Sequence, residues 1–326
     1  MNHEGGLLKA VPVLFAALIA AVSSAEAQPY PVKTVRIIVP FPAGAGADTT
    51  TRLFVPKLTE ALGQQFIVDN RAGAAGNIGA HAVARAAPDG YTLLSAPASL
   101  ASSPSLYKNL GFDLARDFDG VALLASAPFV LAVHPSVPAK SVKELIALAR
   151  AQPGRLTFAS TGVGGTNHLA AELFKSMARI DILHVPYKGT ATAIPDLIGG
   201  QVAMMFTSTV SSLPQVKAGR LRALGITSAK RSLAAKELPT IAESGLPGYE
   251  SGTWFALLAP AGTLREILTR VNTTIAKIAQ TPEIRDRLVA QGAEPLGGTP
   301  GEVEAFVRSE ITKLGKIIAA SGVRAE

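Results

Sequence analysis

The chain has 326 residues, no cysteine, 6% aromatic residues and a formal net charge of +7 at pH 7. Without thiols there is no disulfide framework, thiolate zinc site or lipidated N-terminal cysteine, and scattered basic residues with so few rings argue against a stacking surface for nucleic acid. The positive balance suits anionic ligands or surfaces, or plain solubility.

Residues 1–27 place Lys9 ahead of an apolar stretch from Ala10 to Val22, which ends in Ala25-Glu26-Ala27. This pattern predicts a signal peptide cleaved after Ala27. About a dozen apolar residues interrupted by Pro12 fall short of the roughly 20 that span a bilayer. No twin arginine is present, so export of an unfolded chain to the periplasm is expected. The mature chain of about 300 residues is near the size at which one core divides into two.

Apolar β-branched runs then alternate with helix-period segments: Val35 to Val39, Thr49 to Leu62, Phe66 to Val68, Ile78 to Ala86 and Thr92 to Leu94. Such alternation predicts β-α-β units and a mainly parallel sheet. A second series starts at Phe129 to Val133. It continues through a helix from Val142 to Ala151, opened by Ser141 and stopped by Pro153-Gly154, then a strand Leu156 to Ala159 and a helix Asn167 to Ala178. Strand Ile182 to Val185, helix Ala191 to Ile198 and strands Val202 to Phe206 and Leu221 to Ile226 complete it. A last strand, Trp254 to Leu258, and long helices near Leu264 to Gln280 and Pro300 to Ala320 are expected to return to the first domain. The expected fold is α/β: two Rossmann-like domains, 28–128 with 250–326 and 129–249, joined by crossings near Pro128 and Tyr249. A ligand cleft would lie beyond the carboxyl ends of the strands.

Two loops carry the candidate chemistry. Val39 to Asp48 leaves a strand and enters a helix through Gly44 and Gly46. Glycines let backbone approach a ligand, and first-turn amides with their dipole favour an anion, so a carboxylate could be held without arginine or lysine. The loop also imitates a dinucleotide motif, with Asp69 ending the next strand, but Thr49 stands where a third glycine belongs. Ser160 to His168 repeats the strand-loop-helix arrangement in the second series. The glycine-rich segment Asp69 to Gly79 reads as a tight connection at a cleft rim or as a structural turn. Asp48 reads either as a first-turn residue satisfying helix amides or as a group that orients water or meets an amino or hydroxyl group of the ligand.

No nucleophile elbow, phosphate-binding loop or HExxH motif occurs, and His3, His81, His134, His168 and His184 have no metal-ligand spacing. His168 and His184 are expected to donate hydrogen bonds that fix loops. Neither a catalytic site, a metal nor a cofactor is expected.

The segments VPFPAGAGADTTTR, VDNRAGAAGNIGAHAVARAAPDGYTLL, FASTGVGGTNHLAAELFK, HVPYKG, DLIGGQV, KAGRLRALGITSAKRS and ELPTIAESGLPGYESGTWFALLAPAGT resemble the Bug-type, TctC-like receptors of tripartite tricarboxylate transporters. The resemblance covers essentially the whole mature chain. It implies a periplasmic-binding-protein-like fold of type II and a monomeric receptor, not an enzyme. Such a receptor closes on a small organic acid and delivers it to one large and one small membrane subunit. It also implies that the carboxylate is held by loop amides and ordered waters. By matching position, Phe41, Ala43, Gly44, Ala47 and Asp48 would serve from one domain, and Ser160, Thr161, Gly162, Gly164, Thr166, His168 and Asp196 from the other. Alternatives within this frame are a ligand-sensing receptor for a membrane signalling partner and an exported enzyme on the same scaffold.

Ala45 replaces a frequent glycine, and Ala47 a frequent hydroxyl residue, whose loss removes a hydrogen bond worth about 0.5 to 1.5 kcal/mol. Ala203 replaces a frequent acid. Pro56 should kink or shorten the first long helix.

Overall fold

The computed structural model describes residues 30–324. The expected signal peptide and its cleavage point lie outside them. From Lys33 onward the chain belongs to one compact unit.

Two mixed sheets frame that unit. The first has six strands in the order β11-β4-β10-β3-β1-β2. They are β1 (Val35–Val39), β2 (Phe66–Asn70), β3 (Thr92–Pro97), β4 (Phe118–Ala127), β10 (Thr253–Pro260) and β11 (Glu294–Pro295). The second has five in the order β7-β6-β8-β5-β9: β5 (Phe129–Val133), β6 (Thr157–Ser160), β7 (Leu183–Pro186), β8 (Met204–Ser208) and β9 (Arg222–Ile226). Strand β1 pairs in parallel with β2 and β3, and β6 with β7 and β8. The expectation of a mainly parallel sheet needs correcting, because β10 runs against both β3 and β4, and β5 against both β8 and β9. The reason is topological: β5 and β10 are the strands by which the chain enters one sheet from the other. Each therefore starts at the end where its neighbours in the sheet finish.

Thr227 ties the two crossings together. Its hydroxyl accepts the Phe129 amide at 2.7 Å, and its carbonyl accepts that of Ser251 at 3.0 Å. At Gly252 a Cβ would stand 3.0 Å from the Ala127 carbonyl, so only glycine lets the crossings run this close.

Helix ends follow the chemistry of the sequence. In α4 (Val142–Ala151) the Ser141 hydroxyl caps the Glu144 amide, and α10 (Pro300–Ser321) opens with a capping box between Thr299 and Glu302. Helix α1 (Gly46–Leu62) runs through Pro56 for 17 residues, so the shortening that was one of the two expected effects does not occur. Pro56 and Arg52, four residues earlier, are both exposed, so water can satisfy the carbonyl that proline leaves without a donor. Helix α2 is Asn77–Ala84. Five named elements were not read from the sequence: the ten-residue β4, the short β11, and helices α3 (Ser99–Leu106), α7 (Thr209–Lys217) and α9 (Pro282–Ala290).

Apolar cores flank the sheets, and α5 (Thr166–Ala178) belongs to both sides. Leu169 packs in the first-sheet core with Leu314 and Ile318 of α10, whereas Phe174 packs in the second with Phe158, Phe206 and Tyr249. Helix α5 thereby ties the loop that precedes it to both halves. Helix α8 (Arg265–Ala279) completes the first layer, and α6 (Thr190–Ile198) flanks the second sheet.

Candidate functional site

The carboxyl ends of β1, β3, β6 and β7 open on one cavity of about 790 Å³, within the usual range for a small-molecule site. Its first wall is built from Phe41, Ala45, Gly46 and Ala47, the entry to α1. Behind that wall Asp48 is 3% exposed. Its Oδ2 accepts the Gly44 amide at 2.9 Å, and its Oδ1 accepts Arg52 Nε and Asn70 Nδ2, each at 2.9 Å. Asn70 Nδ2 also donates to the Phe41 carbonyl at 3.0 Å. Burial opposes the Asp48 charge, but hydrogen bonds from Arg52, Gly44 and Asn70 and the Arg52 charge outweigh it, and the carboxyl sits below the ordinary aspartate range. Asp48 is thus the post on which the first loop is wound. It does not line the cavity, and neither do Ala43 and Gly44.

The second wall is Thr161 to Thr166. Gly162 (φ +138°) and Gly164 (φ +74°) occupy left-handed backbone that side chains resist. The loop satisfies most of its own donors. Asn167 Oδ1 accepts the Thr161 amide and hydroxyl at 3.3 and 3.0 Å, Ser160 Oγ accepts the Gly162 amide at 3.1 Å, and the Gly162 carbonyl accepts Gly165. His168, expected to donate, instead accepts the Gly164 amide on Nδ1 at 3.0 Å, because the loop presents it with an N–H rather than a carbonyl. Its proton is therefore on Nε2, which faces Glu172 Oε1 at 3.7 Å.

A stack of rings supports this loop from behind. The His168 and His184 ring centres are 3.8 Å apart, Phe158 lies beyond His184 at 4.9 Å, and His184 Nε2 shares a 2.6 Å hydrogen bond with Ser160 Oγ. Burial first, then the neighbouring His168 and Lys175, depress His184 to a pKa of about 4 against the pull of Glu172. Glu172 itself is opposed by burial, but His168 and Lys175 outweigh this and hold it below the usual glutamate value. Ser160 and His168 are buried supports and do not line the cavity.

What remains for a ligand are the first-turn amides of α1 (Gly46, Ala47, Asp48) and α5 (Thr166, Asn167, His168). They have no carbonyl one turn behind them in their own helix. Both helices direct the positive ends of their dipoles toward this cavity, a setting for an anion. Of the sequence-predicted residues, Phe41, Ala47, Thr161, Gly162, Gly164 and Thr166 line the cavity. Asp196 does not; it accepts the Tyr187 hydroxyl at 2.8 Å.

Other walls escaped the sequence reading. Ser99, Ser102 and Ser103 on α3, with Leu106, Tyr107 and Pro97, form one side, and Thr253 and Phe255 of β10 another. The i, i+3, i+4 spacing of those serines after a strand was the available signal. Lys188, Gly189 and Thr190, at the entry to α6, form a further side. Lys188 follows a strand within the HVPYKG segment, the same position that flagged the other loops. Ala75 (φ +55°) brings the glycine-rich segment to the rim, as one of its readings held. Among the described residues no cluster suited to a metal ion occurs, and no helix is long and apolar enough to cross a membrane.

Residues 51–323 match the family model described as the tripartite tricarboxylate transporter family receptor. The chain is 36% identical to protein BugT of Bordetella pertussis over 97% of this chain and 98% of that one. It is 39% identical to a UPF0065 protein from the tcbD-tcbE intergenic region of Pseudomonas sp. strain P51, covering 93% and 91% of the two chains. Among solved structures, Rpa4515 of R. palustris with adipate is 39% identical with a TM-score of 0.76, covering 91% of this chain and 100% of that one. MatC of Rhodopseudomonas palustris with bound malate is 30% identical with a TM-score of 0.72, covering 89% and 100%.

Proposed function

The chain belongs to the tripartite tricarboxylate transporter receptor family, and on that premise we propose that it is a periplasmic receptor that captures a small organic acid and delivers it to an integral membrane transporter. The observation that carries this reading is the convergence of the α1 and α5 N-termini on one cavity with no carboxylate among the described residues of its wall. Adipate and malate in the related structures are ligands of the same chemical kind.

In this reading the acid's carboxylate takes hydrogen bonds from first-turn amides of both helices, directly or through water. Each half alone offers an anion a partial site. A ligand that bridges both makes contacts only the closed arrangement supplies, and so shifts the population toward closure. Residues 28–128 with 250–326 would move as one domain and 129–249 as the other, about the crossings clipped by Thr227. Family membership supports both the transporter as destination and the periplasm as location, and the sequence pattern of residues 1–27 supports export.

Thermal-shift and calorimetric screening of the mature protein against mono-, di- and tricarboxylates, aromatic acids and amino acids tests the proposal. Saturable binding of one acid class with a raised melting temperature is expected. Absence of stabilisation by every acid would refute it.

A further inference from the structure

Behind the second cavity wall lie two histidines that do not themselves line the cavity. The His168 and His184 rings stack at 3.8 Å with their planes 12° apart, and each holds one part of the loop between Ser160 and Thr166. His168 Nδ1 accepts the Gly164 amide at 3.0 Å. His184 Nε2 is bonded to Ser160 Oγ at 2.6 Å, and that hydroxyl oxygen in turn accepts the Gly162 amide. The loop so pinned reaches the opposite wall, because a Cβ on Gly164 would stand 2.8 Å from Leu106 Cδ1 of α3.

These bonds depend on protonation. A neutral imidazole keeps one nitrogen that accepts, whereas an imidazolium has only donors. A proton on His168 Nδ1 would set two donors face to face at 3.0 Å. Glu172 Oε1, 3.7 Å from Nε2, would attract that charge, but the Gly164 bond would be lost. A proton on His184 enters a ring held between His168 and Phe158. The charged groups that act on His184 are His168, Glu172 and Lys175, all on α5, while β6 contributes the neutral Phe158 and Ser160. Burial, His168 and Lys175 together outweigh Glu172 and oppose the charge. Two charged rings 3.8 Å apart, one of them 3% exposed, would repel strongly. Acid therefore favours any arrangement that uncovers the pair. His184 is fixed in β7 by its pairing with β6, and α5 is packed into both cores. The part free to move is the loop, which belongs to neither sheet nor helix.

We infer that His168 and His184 are positioning residues that make the second cavity wall pH-sensitive: neutral, they lock the loop as a wall of the acid site, and protonation releases it and weakens the hold on the acid. The inference rests on the reading of the cavity as a carboxylate site and adds a means of regulating it.

The test follows the Gly162 and Gly164 amides of the mature protein by NMR-detected hydrogen exchange between pH 7 and pH 4.5, each rate being referred to that of an unstructured chain at the same pH. Protection should fall at least about tenfold; recovery of His184 from about 4 toward 6.5 in the released loop allows up to roughly a hundredfold. The Leu131 amide in β5 should stay more strongly protected at every pH, which marks the opening as local. In the double variant His168→Asn, His184→Gln, side-chain amides can stand in for Nδ1 and Nε2 without titrating, and protection should change less than about threefold. Calorimetry with the mono-, di- and tricarboxylates of the screen reads the consequence for binding. Any acid bound at pH 7 should lose at least about tenfold more affinity by pH 4.5 in the wild type than in the double variant, a comparison from which protonation of the acid itself cancels. Wild-type protection that holds to pH 4.5, an opening no more local than that of Leu131, or equal losses of affinity in the two proteins would overturn the inference and leave the receptor standing. Binding of no acid would overturn the receptor reading instead, and the amides would still decide whether the loop is released.

Discussion

Replacing Asp48 separates a residue that holds the cavity wall from one that touches the ligand. In Asp48→Ala the Gly44 amide and the Asn70 side-chain amide lose the carboxylate of Asp48, which is 3% exposed, although Gly44 itself is exposed and Asn70 half-buried. Water can reach both donors, so each lost bond costs about 0.5 to 1.5 kcal/mol. The third bond, to Arg52, adds little because that side chain is half exposed. Asn70 retains the Phe41 carbonyl as one partner, and the expected loss is about 1 to 3 kcal/mol of unfolding free energy. Urea titration followed by the fluorescence of Trp254, the only tryptophan, measures it directly. Acid affinity should fall in the same variant, since Gly44 and Phe41 are no longer fixed. Asp48→Asn, which keeps the shape and one acceptor oxygen, should lose less of both. The refuting result is Asp48→Ala with wild-type stability and abolished binding, which would make the carboxylate a ligand contact and not a post.

The depressed His184 makes a pH prediction with a definite sign. Unfolded, it takes up a proton near pH 6.5, but folded only near about 4; the unfolded state therefore binds more protons between these values, and stability falls as pH drops through that window. The loss approaches about 3 kcal/mol by pH 4. His184→Gln, which can still bond Ser160, should flatten the slope of unfolding free energy between pH 6.5 and 4, and an unchanged slope would show that another group titrates there. At Gly164 the left-handed backbone (φ +74°) and Leu106 Cδ1, 2.8 Å from where a Cβ would stand, both resist substitution. Gly164→Leu should weaken acid binding at least about tenfold, while its strain of about 1 to 2 kcal/mol leaves the protein folded; wild-type affinity measured by calorimetry would remove Gly164 from the site.

Much of the fold was legible because strands buried on both faces are written in apolar, β-branched residues. Val35 to Val39 is such a run, and so is Phe129 to Val133. Strand direction was not legible: Trp254 to Leu258 is as uniformly apolar as a parallel strand would be, since it too is buried on both faces. Strand β4 was missed because Gly120 and its alanines carry little β signal, and α3 because serines and Pro104 hide its helical period. In the site, glycine-rich loops announced where backbone would meet the ligand. What could not be read was which polar side chains face the ligand and which face the loop. Asp48, Ser160 and His168 look like binding groups in sequence, yet each is used up by amides or side chains a few residues away or across the sheet. Lys188 follows a strand as the other loops do, but the single glycine beside it carries less signal than their glycine-rich runs.

The central claim is that first-turn amides of α1 and α5 hold an acid between the two halves. The most direct test is a crystal structure with the tightest-binding acid of the screen. The predicted result is one carboxylate in the cavity, within about 3 Å of the amide nitrogens of Gly46 or Ala47 and of Thr166 or Asn167, or linked to them by single waters. A carboxylate held on one side only, or bound outside the cavity, would contradict the account.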